Sequence, residues 1–261
     1  MQLSDAKILL TGATGGLGEE LARQLARAGA RILLAGRDAA RLATVDDALP
    51  GTHATIRAEL TRPEGIAATV DAAREFGVNV LINNAGIGSF GMFEQQDWPS
   101  IEQILATNLE APMRLTHAML PLLKSRRQAA IVSVGSTFGS LPFPGFVAYS
   151  AAKAGLRGFS QALRRELSDS AVAVIHLAPR AIDTPMNSPE VKALNLELGN
   201  SSDSPESVAR QVLLALVLGH GEHHFGFPEK IFAWLNGIAP SLIDRALAGK
   251  LPIIKRLSPT R

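Results

Sequence analysis

The sequence predicts an α/β protein: one doubly wound parallel sheet in a single domain over 1–261, with helices on both faces. Three observations predict it. Short β-rich runs alternate with longer segments of helical periodicity through most of the chain. Those runs are apolar throughout, as strands covered on both faces read. At 261 residues, 46% apolar and 19% charged, the chain is long enough for one sizeable core and short for two.

The strands are expected at 7–11 (KILLT), 31–35 (RILLA), 53–57 (HATIR), 78–82 (VNVLI), 129–134 (AAIVSV) and 171–177 (AVAVIHL). Between the first two, LGEELARQLARAG sets Leu17, Leu21, Leu25 and Ala28 along one helix face and stops at Gly29. Two stretches break the βαβαβ rhythm. Residues 184–204 lead from a strand to a helix that Ser204 caps and Pro205 opens, with Glu206 in the first turn. A connection this long is expected to be a substrate loop, and its Met186, Leu194, Leu196 and Leu198 point to an apolar substrate.

The second stretch is an apolar C-terminal tail, 226–261, with Phe232, Trp234, Leu235, Ile238, Leu242, Ile243 and Leu247 among scattered basic residues. It reads as a subunit interface, the wall of a hydrophobic pocket or a membrane contact. Asn236, Gly237 and Pro240 break it into short pieces, which disfavours one membrane-lying helix and favours packing in an oligomer or over the pocket.

Composition excludes several classes. The net charge is +2 with no run of five like charges, so no nucleic-acid partner is expected and a small molecule is. The chain has no cysteine, which rules out thiol catalysis, cysteine-ligated zinc and disulfides. His220, His223 and His224 in HGEHHF match no zinc spacing, and are expected on a surface loop with no metal. The start of the sequence lacks signal-peptide form and the apolar run 212–219 is too short to span a bilayer. The expected setting is cytoplasmic.

Two motifs carry chemistry. TGATGGLG, 11–18, directly follows the first strand and opens the first helix, where glycines permit a tight turn and the helix N-terminus favours a phosphate. AYSAAKAG, 148–155, holds the only tyrosine, with Lys153 four residues after Tyr149 and so on the same helix face. A neighbouring cation favours ionisation of a phenol whose ordinary pKa is about 10. By itself that spacing fits better a buried aromatic and a solvated lysine sharing a helix.

Taken with NNAG at 83–86 after the fourth strand, and Ser136 thirteen residues before Tyr149, the sequence resembles a classical short-chain dehydrogenase/reductase through about residue 210. Gly12, Gly16 and Gly18 fit that family's TGxxxGxG. Gly12, Gly15 and Gly18 also fit the TGxxGxxG of the extended branch that contains sugar epimerases, but the chain is too short for that branch's additional domain. The resemblance implies a Rossmann-type fold. It also implies a nicotinamide dinucleotide held by Gly12, Thr14, Gly16, Leu17 and Gly18, with Asn84, Ala85 and Gly86 beside the adenosine ribose.

Arg37 after the second strand, followed by Asp38, implies that NADP(H) is preferred. NAD(H) stays within reach, because the glycine loop has no basic residue. Glu59 and Leu60 stand where the family usually carries an aspartate near the adenine. Pro179, Ile182 and Thr184 correspond to residues near the nicotinamide. Arg180 replaces the usual glycine, so either the loop is shaped differently or Arg180 faces an anionic group.

The family's tetrad is complete as Asn108, Ser136, Tyr149 and Lys153. The resemblance gives Ser136 the substrate oxygen, Tyr149 the proton transfer, Lys153 the nicotinamide ribose and the phenol, and Asn108 a relay water. Ser133, inside its strand, reads as a packing residue or structural hydrogen-bonder. The implied function is a hydride transfer between NADP(H) and a hydrophobic carbonyl or alcohol by a homodimer or homotetramer. The alternative is a non-catalytic nucleotide-sensing or scaffolding protein on the same fold.

Overall fold

β1 (Lys7–Thr11) runs into the glycine turn and α1 (Gly16–Arg27), and the unit repeats as β2 (Arg31–Gly36), α2 (Ala39–Asp47), β3 (Ala54–Arg57), α3 (Pro63–Phe76) and β4 (Val80–Asn83). The chain continues through α4 (Trp98–Leu105), α5 (Ala111–Lys124), β5 (Ala129–Val134), α6 (Val147–Glu166), β6 (Val172–Ala178), α7 (Pro189–Glu197), α8 (Pro205–Leu218) and β7 (Gly221–His224). It closes with α9 (Glu229–Ile238), α10 (Pro240–Ala248) and α11 (Leu251–Leu257). The computed structural model describes residues 1–259. Thr260 and Arg261, the end of the expected tail, lie outside the described residues.

Each expected strand forms within two residues of its expected ends, and α1 is followed by Gly29 at φ +87°, the left-handed turn that favours glycine. The sheet order is β3-β2-β1-β4-β5-β6-β7, every pair parallel. After β3 the chain crosses back past β1 to start β4. Neighbouring crossovers diverge there and leave a crevice at the carboxyl ends of β1 and β4.

Successive strand side chains point to opposite faces. Ile8 and Leu10 of β1 therefore meet Leu21 of α1 and Val212 of α8, in a layer that also holds Leu42 of α2. Leu9 joins Val70 of α3, Met119 of α5 and Leu163 of α6 on the other side. Both faces are dry, which is why the strand sequences show no polar alternation.

Two features depart from the sequence reading. The polar stretch Gly221–His224 forms a strand beside β6 at the end of the sheet among the described residues, where its side chains are only partly covered and need no apolar run. His223 and His224 therefore sit in β7 and not on a surface loop. Residues 184–204, expected as a loop, contain the helix α7. Ser188-Pro189-Glu190 repeats the start signal of Ser204-Pro205-Glu206: Ser188 Oγ accepts from Val191 N at 3.4 Å as Ser204 Oγ does from Ser207 N at 3.2 Å. The base of this excursion is closed by Asp203 N donating to Ala181 O at 2.8 Å and Asp183 N donating to Asp203 O at 3.0 Å.

The tail is divided as its breaks imply, with Pro240 at the first position of α10. Among the described residues no helix is long and apolar enough to cross a membrane.

Candidate active site

The glycine turn is built by close approach. Gly12 has φ +64°, and a Cβ there would stand 2.8 Å from Ala85 Cα. A Cβ on Gly18 would lie 2.0 Å from the Gly12 carbonyl oxygen, so only glycine lets α1 begin against the turn. Gly15 is the cap residue of α1 and no side chain caps that helix, which leaves its first-turn N–H groups for an anion. The stretch after β4 steadies the same turn. Thr11 Oγ1 accepts from Asn84 N and Ala85 N, both at 3.0 Å, while Asn84 Nδ2 donates to Thr11 O at 3.0 Å and Gly12 O at 3.2 Å.

At the ends of β2 and β3, Arg37 and Glu59 share one exposed spot, with Arg37 Nη1 3.8 Å from Glu59 Oε2. Arg41, one turn into α2, joins them on the cavity wall, donates to Thr14 O and pairs with Glu19 Oε1 at 3.1 Å. Sequence reasoning missed Arg41. Its signal was the position four residues after Arg37, on a helix whose start Asp38 caps.

Asn108 does not sit in regular α-helix: a π-helical turn, 106–110, joins α4 to α5 and carries it. Widened turns of this kind often sit at functional sites. The buried carboxamide donates from Nδ2 to Ile87 O at 2.9 Å and Ile104 O at 3.0 Å, and its Oδ1 accepts from Ile87 N at 3.2 Å. Gly86 lies directly over it. A Cβ on Gly86 would be 2.7 Å from Asn108 Oδ1 and 3.7 Å from Lys153 Nζ.

Tyr149 and Lys153 do share one face of α6. The Lys153 ammonium is buried, donates to Val134 O at 2.9 Å and stands 5.6 Å from the centre of the Tyr149 ring. Burial lowers Lys153 to about 8. The phenol departs from the sequence expectation: burial raises the pKa of Tyr149, and a hydrogen bond with Ser136 offsets only part of that rise. The reason is that the ammonium is tied to a main-chain carbonyl while the ring packs among apolar side chains. Ser136, at the end of β5, also accepts from Phe138 N at 3.2 Å. Ser133 is fully buried in β5 and its hydroxyl has no hydrogen-bond partner among the described residues, which leaves packing as its part.

One cavity of about 1130 Å³ unites these elements. Every residue that the sequence nominated for the dinucleotide and the chemistry lines it, and the glycine turn meets the segment after β6, where a Cβ on Gly16 would be 3.1 Å from Thr184 Cβ. Beyond Tyr149 the wall turns aromatic. Phe138 meets Tyr149 edge to face at 6.3 Å and Phe143 at 5.4 Å, and Phe90 stacks on Phe146 at 5.1 Å. The sequence reading did not use this wall, although Phe138, Phe143 and Phe146 are three of the chain's ten phenylalanines within nine residues. In the 184–204 excursion the leucines divide. Leu194 is buried in the apolar cluster beside the cavity and Leu198 and Met186 reach the wall, whereas Leu196 is 84% exposed and has no place in a pocket.

Arg180 faces protein carboxylates. Its Nη2 donates to Asp203 Oδ1 at 2.7 Å, its Nη1 lies 3.6 Å from Glu229 Oε1, and the hydrogen bond to Asp203 chiefly raises its pKa. A Cβ on Gly226 would come within 2.8 Å of the Arg180 side chain, so a glycine there makes room for it. On the far side of α6, Glu222 accepts from Arg157 at 2.5 Å, Gln161 at 2.7 Å and His224 at 2.8 Å. Among the described residues no three metal-ligating side chains converge.

Residues 6–195 match the family model described as short chain dehydrogenase. The chain belongs to the short-chain dehydrogenase family. It is 32% identical over 264 residues to dehydrogenase/reductase SDR family member 7B of Bos taurus, covering 94% of this chain and 81% of that relative. It is 35% identical over 199 residues to the 3-oxoacyl-[acyl-carrier-protein] reductase FabG of Vibrio cholerae, covering 76% and 80%. A short-chain dehydrogenase from Burkholderia phymatum in complex with NAD shares the fold with a TM-score of 0.84, at 21% identity over 93% of this chain and 96% of that one. The closed form of serine dehydrogenase complexed with NADP+ gives 0.77, at 26% identity over 84% and 94%. This short-chain dehydrogenase is thus an oxidoreductase of CH–OH and C=O groups that uses NAD(H) or NADP(H).

Proposed function

We propose that this short-chain dehydrogenase is an NADP(H)-preferring carbonyl reductase or alcohol dehydrogenase of a large hydrophobic substrate. The observation that carries the reading is the meeting of Ser136, Tyr149 and Lys153 where the glycine-lined end of the cavity gives way to its phenylalanine-lined end. Arg37 after β2 and Arg41 in α2, both on the cavity wall, support the NADP(H) preference, since guanidinium groups suit a 2'-phosphate. Glu59 beside Arg37 weakens that preference without reversing it. The curated relatives with a substrate in their name act on 3-oxoacyl chains, so 3-oxoacyl thioesters are the first substrates to test.

The cofactor, when bound, supplies or receives the hydride. The protein's residues govern the oxygen. Ser136 Oγ donates a hydrogen bond to the substrate oxygen, which gains negative charge as hydride reaches carbon. Tyr149 gives that oxygen its phenolic proton. A phenol raised by burial stays protonated at neutral pH, which suits the reducing direction. The Lys153 ammonium stabilises the charge left on Tyr149. Asn108 locks the segment at Ile87 through both ends of its carboxamide, beside the route by which a water returns the proton toward Lys153.

The test is NADPH oxidation with 3-oxoacyl thioesters and apolar ketones of increasing length, comparing wild type with Tyr149→Phe. Turnover that rises with apolar length and disappears in the variant is expected. Turnover indifferent to the phenol would sink the reading.

A further inference from the structure

Helix α9 is inverted: polar groups hold it to the body and apolar ones face out. Glu229, Phe232 and Asn236 recur at i, i+3 and i+7 and form its inner side. Glu229 pairs with Arg180, Phe232 lines the cavity, and Asn236 Nδ2 donates to Ser140 O at 3.0 Å. Ile231, Trp234 and Ile238 recur at the same intervals two positions on, and so form the opposite side. They are 45%, 65% and 63% exposed, and no residue of α9 is buried. Phe227 just before the helix and Leu242 just after it extend the apolar face.

Charge accompanies this face. Residues 226–261 carry six Lys and Arg against two Asp and Glu; with Arg256 paired to Glu197 and Arg261 outside the described residues, Lys230, Arg245, Lys250 and Lys255 remain. Lys230 flanks the stripe on α9 and Arg245 shares a side of α10 with Leu242; both are exposed, and neither forms an ion pair among the described residues. Of the two acids, Glu229 is occupied by Arg180, which leaves Asp244 alone in the open. A two-fold contact with a second copy would set this basic rim against itself. A surface that is apolar below and negative at its boundary satisfies both features at once, with tryptophan at the level where its amphipathic ring prefers to sit.

We infer that the face of α9 and α10 formed by Ile231, Trp234, Ile238 and Leu242 docks on an anionic phospholipid surface. The same helices supply the outer wall of the cavity through Phe232, Ile243 and Leu247, so docking sets that wall against lipid.

The experiment uses the full chain and two kinds of vesicle, phosphatidylcholine alone and phosphatidylcholine with phosphatidylglycerol. Co-sedimentation is measured for wild type, for the triple variant Ile231→Ser, Trp234→Ser, Ile238→Ser, and for Leu214→Ser, an exposed apolar residue on distant α8. Thermal melting and the oligomeric state by light scattering are recorded for each. Expected are binding to the phosphatidylglycerol vesicles that weakens with salt, a loss of at least about tenfold in affinity in the triple variant, and no change in Leu214→Ser. Trp234 fluorescence should shift to the blue with vesicles in Trp98→Phe and not in Trp234→Phe. Absence of binding to either vesicle, or equal binding by the triple variant, would overturn the inference. So would a triple variant that dissociates an oligomer whose wild-type form ignores vesicles, which would make the face a subunit contact. Binding is read without substrate or cofactor, so its failure leaves the proposed chemistry standing.

Discussion

Arg180 Nη2 stands 2.7 Å from Asp203 Oδ1, and this pair ties the segment leaving β6 to the segment entering α8, at the two ends of the excursion that carries α7. The second arm of Arg180 reaches Glu229 at the start of α9. One side chain therefore fastens both covers of the cavity, in the position where the family resemblance led to an expectation of glycine.

Replacing it by Arg180→Met is expected to lower stability by about 2 kcal/mol, because charged hydrogen bonds are lost and two largely buried carboxylates are left without their cation. KM for the substrate should rise more than kcat falls. Urea denaturation and steady-state kinetics read the two effects, and an unchanged unfolding midpoint would argue that the clamp holds nothing.

Cofactor choice should respond to three residues at the ends of β2 and β3. Arg37→Ala and Arg41→Ala are each expected to weaken NADPH binding by about tenfold and NADH binding little, the usual scale for a charge-assisted hydrogen bond. Glu59→Gln removes the carboxylate 3.8 Å from Arg37 and should strengthen NADPH binding. Fluorescence titration of both nucleotides checks this, and parallel losses for the two would show that neither arginine reads the 2'-phosphate.

The reacting end divides binding from chemistry. Tyr149→Phe and Ser136→Ala should each reduce kcat by about a hundredfold or more while NADPH still binds. Lys153→Met should impair both, since it removes a buried ammonium that is placed beside the phenol and lines the cavity. Single-turnover kinetics with separate nucleotide titrations distinguish these patterns.

His176 predicts an acid limit. It is fully buried in β6, neither ring nitrogen has a partner among the described residues, and burial lowers its pKa from 6.5 to about 4. The native state then binds fewer protons than the unfolded chain between those values, so stability falls as pH drops from 6.5 toward 4. The loss attributable to this group amounts to about 3 kcal/mol. His176→Leu should flatten that part of the profile. Denaturation midpoints recorded from pH 7 to 4, which should converge less steeply for the variant, decide it; identical slopes would clear His176 of the effect.

Gly18→Ala tests the cradle itself. Its methyl group would sit 2.0 Å from the Gly12 carbonyl oxygen, so the turn must open, with loss of nucleotide affinity and of thermal stability. A variant that binds NADPH normally would mean that α1 can shift at small cost.

Much of this was legible in one dimension because it rests on local rules. Strand runs without polar alternation announced a sheet covered on both faces, Gly29 announced the end of α1, and Ser204 with Pro205 announced α8. The nominated site residues all line one cavity because they lie beyond the carboxyl ends of strands, in the first turn of α1, on the π-helical turn 106–110 or on α6. β7 escaped because a strand whose side chains are only partly covered needs no apolar pattern. The helix α7 went unread although Ser188-Pro189-Glu190 carries the same signal as the start of α8. Arg41 went unread although it follows Arg37 by four residues on the helix that Asp38 caps; its approach to Thr14, 27 residues away, is a tertiary contact.

The succession of strands along the chain, the glycine turn and the spacing of Ser136, Tyr149 and Lys153 are thus consequences of the sequence alone, since backbone sterics and helical periodicity act over a few residues. The raised phenol of Tyr149, the clamp of Arg180 on Asp203 and Glu229, and the outward face of Ile231, Trp234 and Ile238 were decided only by tertiary packing. Burial and long-range charge pairing depend on what distant segments bring together, and a short stretch of chain carries no record of its eventual neighbours.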